Sequence, residues 1–492
     1  MIFEFDKSKK SLLELIRAEN PGSIDAPCGG KGRCGKCRVR VWGRLIRLEN
    51  AELIEAEGEE ISACCFAPYG PCRAETLYEP ENDSMTHMLC SGPMGLAIDL
   101  GSTTLELRIY EMNSGRELAR HREMNTQRSY GADVLSRIQA MKSPDKWEIH
   151  TCLARQLTGM VESICTKIGK NASEVERVVF CGNTVMEHFA AGLDPSSIAL
   201  PPFEPQGHFE DWGREYGRGY AAEVYYCPCL SGYVGGDLIA GLSLEADRPG
   251  LRLYMDIGTN GELALGNEKG YICCATAAGP AFEGAELSCG MGGSVGAIYK
   301  VDIDGDDISV SVVGGAAAKG ICGSGVIDAV AAMLKLNVIG KSGRFNKTEK
   351  LGAKLAERLT RINGEKAFML SDDVYLTAGD IRKIQLAKAA IRAGTELMLQ
   401  RSGKKAGDIE RISLAGGFGS AINRLSAECI GLIPHCENAE LQYSGNAAIL
   451  GAAAALYPEG REKIENALSI CKYTELSTDK DFPALYLEYL NF

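Results

Sequence analysis

Histidine is scarce in this sequence, six in 492 residues, so His188 and His435 read as structural or surface residues rather than as metal ligands. Long apolar runs are missing too. The stretch AAILGAAAAL (447–456) is too short and too rich in alanine to span a bilayer. The opening MIFEFDKSKKSLLEL has no long apolar core behind a basic start, so no signal peptide is expected. Together these absences lead to the expectation of a cytoplasmic protein without membrane contact. Nor is there an excess of basic charge. The formal net charge is -12, which argues against nucleic acid or anionic lipid as the main partner, since either needs a basic face. A local patch of Arg33, Lys36, Arg38 and Arg40 suits an acidic protein partner better than DNA. Finally, no Walker A motif occurs and no G-x-G-x-x-G follows a strand, which removes the P-loop and dinucleotide-binding readings.

Cysteine, by contrast, is abundant, with 19 residues. In a reducing compartment these need an explanation other than disulfides. Most stand in apolar segments such as VVFCGN and YICCAT and read as small buried hydrophobes. The stretch DAPCGGKGRCGKCRVRV (25–41) is different. Cys28, Cys34 and Cys37 form C-x5-C-x2-C, and ISACC supplies Cys64 or Cys65 after a strand-length interval. Plant-type [2Fe–2S] sites use C-x4-C-x2-C with a distant fourth cysteine, one residue away from this spacing. The glycines have a physical task, since backbone N–H groups must approach the cluster sulfides closely. Structural zinc sites pair two short knuckles, whereas here three thiols share one loop, so a [2Fe–2S] cluster is favoured over zinc or free thiols. Cys64, Cys65 and Cys72 compete for the fourth position, and Cys64 is preferred.

The chain is too long for one core. Residues 1–78 alternate short strand-like runs with the amphipathic SLLELIRAE, as a small β-grasp-like domain would. A polar segment with Pro80, Asn82, Asp83, Gly92 and Pro93 reads as a linker over 79–94. From 95 to 492 strands alternate with helical segments, an α/β pattern. Inside it AIDLGSTTLELRIY (97–110) lines up with YMDIGTNGELALG (254–266), each reading as strand, tight polar turn, strand. This near-repeat predicts a duplicated domain with lobes of about 95–250 and 251–492.

Each copy carries the groups a nucleotide needs. In the first these are Asp99, Gly101, Ser102, Thr103 and Thr104, and in the second Asp256, Gly258, Thr259 and Asn260. Glycine permits close approach to phosphate oxygens, the hydroxyls donate, and the aspartates can hold Mg²⁺ through water or orient an attacking water. ISLAGGFGSAIN (412–423) adds a strand running into Gly416, Gly417 and Phe418, a turn suited to adenosine. In SGYVGGDLIAGL (231–242), Asp237 at a helix start is either a general base or a plain N-terminal cap. KGICGSGVIDAV (319–330) is a glycine-rich helix start, readable equally as an anion site or as close backbone packing.

DLGST, DIGTN, LAGGFG and GNAAILGAAAAL resemble the phosphate, adenosine and connecting elements of the actin, Hsp70 and sugar-kinase superfamily. VVFCGNTVMEHFAAGLDP, CATAAGPAFEGAELSCGM, KGICGSGVIDAV and IRKIQLAKAAIRAG resemble, more narrowly, the reductive activators of corrinoid-dependent enzymes. That resemblance implies an α/β multidomain protein, with an N-terminal β-grasp [2Fe–2S] ferredoxin-like domain and a duplicated actin-like (ribonuclease H-like) ATPase domain. It implies ATP and Mg²⁺ at the hairpins, with Asp99, Asp237 and Asp256 as catalytic candidates. It implies as partners a corrinoid protein of a methyltransferase system and an upstream low-potential electron donor, with a homodimer as a candidate assembly. In such activators the cluster's electron reduces a lapsed Co(II) corrinoid to Co(I), and ATP hydrolysis drives the step. An uphill gap on the order of 200 mV costs about 5 kcal/mol per electron, which explains why an electron carrier needs an ATPase on the same chain. The family usually has a longer segment before its first phosphate hairpin, and Cys65 departs from the usual polar residue after the fourth ligand. Two other readings are a redox-gated clamp on a client protein and a small-molecule kinase fused to a ferredoxin.

Overall fold

The computed structural model describes residues 2–19, 24, 37–76, 92–131, 133–141, 147–210, 222–284, 286–416 and 422–492. Near the N-terminus, β1 (Ile2–Phe5), β2 (Arg38–Arg47), β3 (Leu53–Ser62) and β4 (Phe66–Thr76) form a sheet in the order β1-β4-β2-β3, with every neighbouring pair antiparallel. Alternation in RVRVWGRLIR sends Val39, Val41 and Leu45 into the core. The helix Leu12–Glu19 buries Leu12, Leu13 and Ile16 in the same core. Each such side chain contributes about 2 kcal/mol. Its start is fixed reciprocally: the Glu14 carboxylate accepts the Ser11 N–H at 2.7 Å, and the Ser11 hydroxyl accepts the Glu14 N–H at 3.2 Å.

The described residues divide into two compact units, Met1–Gly236 with Ala452–Pro458, and Asp237–Gly451 with Glu459–Phe492. The first contains, besides the small sheet, β5 (Met94–Leu100), β6 (Thr104–Glu111), β7 (Arg116–Met124), β8 (Val175–Gly182) and β9 (Glu223–Tyr226), in the order β7-β6-β5-β8-β9. Its first three strands are antiparallel, and β8 and β9 continue in parallel from β5.

In the second unit, β10 (Arg252–Ile257), β11 (Gly261–Asn267) and β12 (Gly270–Thr276) are antiparallel. Two three-stranded sheets follow, from β13 (Ala297–Asp304), β14 (Asp307–Val312) and β15 (Gly320–Ile321), and from β16 (Leu359–Ile362), β17 (Glu365–Met369) and β18 (Tyr375–Thr377). Then β19 (Arg411–Ala415) and β20 (Glu440–Gly445) add in parallel beside β10, and β21 (Cys471–Tyr473) pairs with β12. The resulting order β20-β19-β10-β11-β12-β21 is that of the first unit plus one strand. The near-repeat in the sequence is therefore a duplication of a whole sheet. A long helix, Ala378–Ser402, packs on the second sheet, capped by Thr377 with Asp380 at its start and by Gly403 at its end. Among the described residues no helix is long and apolar enough to cross a membrane.

Candidate functional site

Cys37 is fully buried immediately before β2. Register places Ser62 opposite Arg38, and the Ala63 N–H donates to the Cys37 carbonyl at 2.7 Å. The short turn Ala63–Cys65 thus sets Cys64 and Cys65 beside Cys37, both half-buried, with their sulfurs 3.7 Å apart. Cys72 lies elsewhere, on β4 opposite Phe5 and Gly43. Gly43 is six positions beyond Cys37 on an extended strand, which separates the two cysteines by about 20 Å. Burial, with Asp6 nearby, pushes the Cys72 thiol up to about 11. Cys28 and Cys34 lie outside the described residues. The donors present, a thiol at a strand start and thiols on the adjoining turn, fit an iron–sulfur cluster.

The first hairpin turns at residues 101–103 between β5 and β6. Asp99 is half-buried and stands opposite Glu106. Glu106 is buried and bracketed by Arg108 at 2.6 Å and Arg122 at 3.3 Å. The turn is held from one side: Asn125 donates its side-chain amide to the Gly101 carbonyl at 2.9 Å, and Arg137 donates to the Ser102 carbonyl. Asn183 donates to the Ser102 hydroxyl at 3.4 Å. Thr104 opens β6.

The second hairpin repeats the backbone with other partners. Asp256 stands opposite Glu262, the counterpart of Glu106. The Gly258 N–H closes the turn onto the Asn260 carbonyl at 2.9 Å, and the Thr259 hydroxyl donates to the Glu283 carboxylate at 2.8 Å. Parallel pairing sets Ala415 of β19 beside Asp256, so Gly416 follows directly against this hairpin. A Cβ at Gly416 would lie 2.5 Å from the Ile257 carbonyl oxygen and 2.9 Å from Asp256 Oδ1, and its φ is +103°, which only glycine adopts readily. Gly417 and Phe418 lie outside the described residues.

Asp237 sits within the first turn of the helix Gly236–Ser243, not before it, and its carboxylate accepts the Leu238 N–H at 2.9 Å. Burial pushes its carboxyl above the usual aspartate range, opposed by a hydrogen bond with Glu262. The buried Tyr254 phenol is raised well above its ordinary value by burial and by Asp256, Glu245, Asp237 and Glu262. The structure thus brings Asp237, Asp256, Thr259 and Gly416 to one end of the second sheet. A carboxyl pair that shares a proton beside a glycine turn can hold or pass a proton and can draw in a cation.

Glu106, Glu262 and Glu283 were not among the sequence candidates. For the first two a signal existed, because both copies of the repeat carry a glutamate early in the second strand, in TLEL and in GELA. Glu283 had none; it reaches Thr259 only through folding. His188 is a satisfied core residue, with Nδ1 at 2.6 Å from the Thr184 carbonyl and Nε2 accepting the Gly207 N–H at 3.2 Å, while exposed His435 pairs with Glu428.

Comparison with known proteins matches residues 250–492 to the C-terminal ASKHA domain of RACo and 94–246 to the RACo middle region. Residues 1–69 match the 2Fe-2S iron-sulfur cluster binding domain. The corrinoid activation enzyme RamQ of Eubacterium limosum is 31% identical, across 98% of this chain and 96% of its own. The [Co(II) methylated amine-specific corrinoid protein] reductase of Methanosarcina barkeri is 24% identical, across 81% of this chain and 77% of its own. A solved reductive activator for corrinoid,iron-sulfur protein superposes with a TM-score of 0.75 at 25% identity, covering 99% of this chain and 96% of that one. With an iron–sulfur domain joined to a duplicated ASKHA domain, and with these relatives along nearly its whole length, the chain belongs to the RACo family of corrinoid-activating enzymes.

Proposed function

We propose that this protein returns the Co(II) corrinoid of a partner methyltransferase system to Co(I), with ATP hydrolysis driving the uphill step. The observation that carries the reading is the joining of a cysteine shelf, Cys37 beside Cys64, to two Asp-x-Gly hairpins in equivalent registers. When bound, a [2Fe–2S] cluster supplies a one-electron carrier, and Cys28, Cys34, Cys37 and Cys64 are its proposed ligands. The 1–78 segment is the proposed electron-transfer domain, 79–94 its linker and 95–492 the ATPase.

In that ATPase, Asp99 of the first hairpin and Asp256 of the second would each orient Mg²⁺-bound phosphates, and Gly101, Ser102, Thr103 and Thr104 in the one and Gly258, Thr259 and Asn260 in the other would supply phosphate contacts. Gly416, Gly417 and Phe418 accept the adenosine. Asp237 takes the proton of the attacking water, helped by its raised affinity for protons. Hydrolysis drives reduction only if the ATP-bound protein binds the two redox states of its partner unequally. The same reading includes a cytoplasmic setting and an upstream low-potential donor.

The test mixes the purified protein, a low-potential reductant and candidate corrinoid proteins with and without ATP, and follows the Co(I) absorption band. Co(I) formation that depends on ATP is expected. Reduction indifferent to ATP overturns the reading. Client binding governed by cluster oxidation state, with no Co(I), supports a redox-gated clamp in its place.

A further inference from the structure

The first hairpin is backed by a buried guanidinium whose hydrogen bonds, among the described residues, all go to uncharged acceptors. Arg137, in the helix Val134–Ala140, is fully buried. Its Nε donates to the Gly131 carbonyl at 3.1 Å, one terminal nitrogen meets Met186 Sδ at 3.1 Å, and the other donates to the Ser102 carbonyl. All three acceptors are uncharged. Asp133 acts on Arg137 through its charge, but its carboxylate is committed to Ser136, accepting the N–H and the hydroxyl at 2.8 Å each. Arg128, also buried, adds a second cation. Burial first and Arg128 second push the Arg137 guanidinium down from its ordinary value. Charge buried in this way is unfavourable unless an anion comes to it.

The backbone of the turn shows where that anion fits. Asn125 holds the Gly101 carbonyl through its side chain at 2.9 Å and the Thr103 carbonyl through its own N–H at 2.9 Å, and Arg137 holds the Ser102 carbonyl between them. Asn125 is itself buried and pinned, its Oδ1 accepting the Gln127 N–H at 2.9 Å. In a trans peptide the C=O and the following N–H point in opposite directions. Capture of the Gly101 and Ser102 carbonyls therefore turns the Ser102 and Thr103 N–H groups to the opposite side. Successive amides aimed one way form a concavity for an anion.

We propose that Asn125 and Arg137 are positioning residues for the phosphate chain of the nucleotide: they aim the Ser102 and Thr103 amides at it, and its charge balances the buried guanidinium. This inference rests on the ATP reading above. The second hairpin is held differently among the described residues, since its turn closes on itself and its hydroxyl donates to a carboxylate.

Calorimetric titration of the full chain with ATP, adenosine and inorganic tripolyphosphate tests it, on the wild type, Arg137→Met and Arg137→Lys. The wild type binds both ATP and tripolyphosphate. Arg137→Met weakens both by about tenfold or more, as loss of charge-assisted hydrogen bonding should. Its adenosine affinity stays within about twofold, a split that a merely structural role would not produce. Arg137→Lys, which keeps the charge but not the fork, falls between and is read alone if Arg137→Met does not fold. Unchanged tripolyphosphate affinity in the variants, or equal losses for ATP and adenosine, overturns the inference. Wild-type binding of tripolyphosphate without ATP preference supports the inference and overturns the ATP reading, whereas binding of ATP but not tripolyphosphate does the reverse.

Discussion

In the first lobe the glutamate opposite the hairpin aspartate, Glu106, is bracketed by Arg108 and Arg122; in the second its counterpart Glu262 shares a hydrogen bond with Asp237. The strand order is common to both lobes, and so is the placing of aspartate opposite glutamate. The electrostatics are opposite. Buried arginines back the first turn, whereas carboxyls from Asp237, Glu262 and Glu283 surround the second. Duplication preserved the backbone that creates a turn and left side-chain charge free to diverge, because backbone pairing tolerates any partner that packs. On the proposed reading, one turn holds an anion and the other handles protons and a cation.

Breaking the proposed division of labour should show first at the thiols. Cys37→Ser abolishes the visible absorption of the cluster and ATP-dependent Co(I) formation while ATP hydrolysis persists, whereas Cys72→Ala leaves the absorption intact. Cluster loss in Cys72→Ala would undo the register-based assignment. Next comes the proposed base of the second unit: Asp237→Asn lowers steady-state ATP hydrolysis by about a hundredfold or more. A nearly wild-type rate would return Asp237 to the status of a helix-start residue.

The first lobe's glutamate should matter for stability instead. Glu106→Gln removes the carboxylate between Arg108 and Arg122, leaving Arg108 its pairing with Glu117 at 3.6 Å, and costs about 1–3 kcal/mol in denaturant unfolding, with the pH profile of hydrolysis unmoved. The finest contrast is the pH profile itself. Because Asp237 holds its proton above the usual aspartate range, hydrolysis should fall as pH drops through that raised value. Glu262→Gln still donates to the Asp237 carboxylate but no longer competes for a proton. It should therefore move the acid limb to lower pH. A limb that stays in place would erase the electrostatic difference between the lobes.

Much of the site was legible because its signals are local. The cysteine loop, the two Asp-x-Gly turns and Gly416 are short contiguous motifs whose glycines and thiols have few other uses. Where a motif admitted two meanings, packing chose between them. The glycine-rich start at 319–330 read equally as an anion site or as close packing; a Cβ at Gly325 would lie 2.2 Å from the Ile298 carbonyl oxygen, so close packing alone accounts for glycine there. Cys72, a competitor for the cluster in the sequence, stands opposite Gly43, six positions along β2 from Cys37.

By itself, then, the sequence determined that two like hairpins would form, where their turns would fall, and which residues would stand in them. Hydrophobic alternation and turn chemistry act within a few residues of one another. Only the tertiary structure decided the charge around each turn. Arg137 reaches Ser102 from a helix 35 positions away in sequence, and Ala415 meets Asp256 through a parallel strand pair. Whether a buried charge is balanced depends on neighbours supplied by separate elements, and no periodicity along the chain records them.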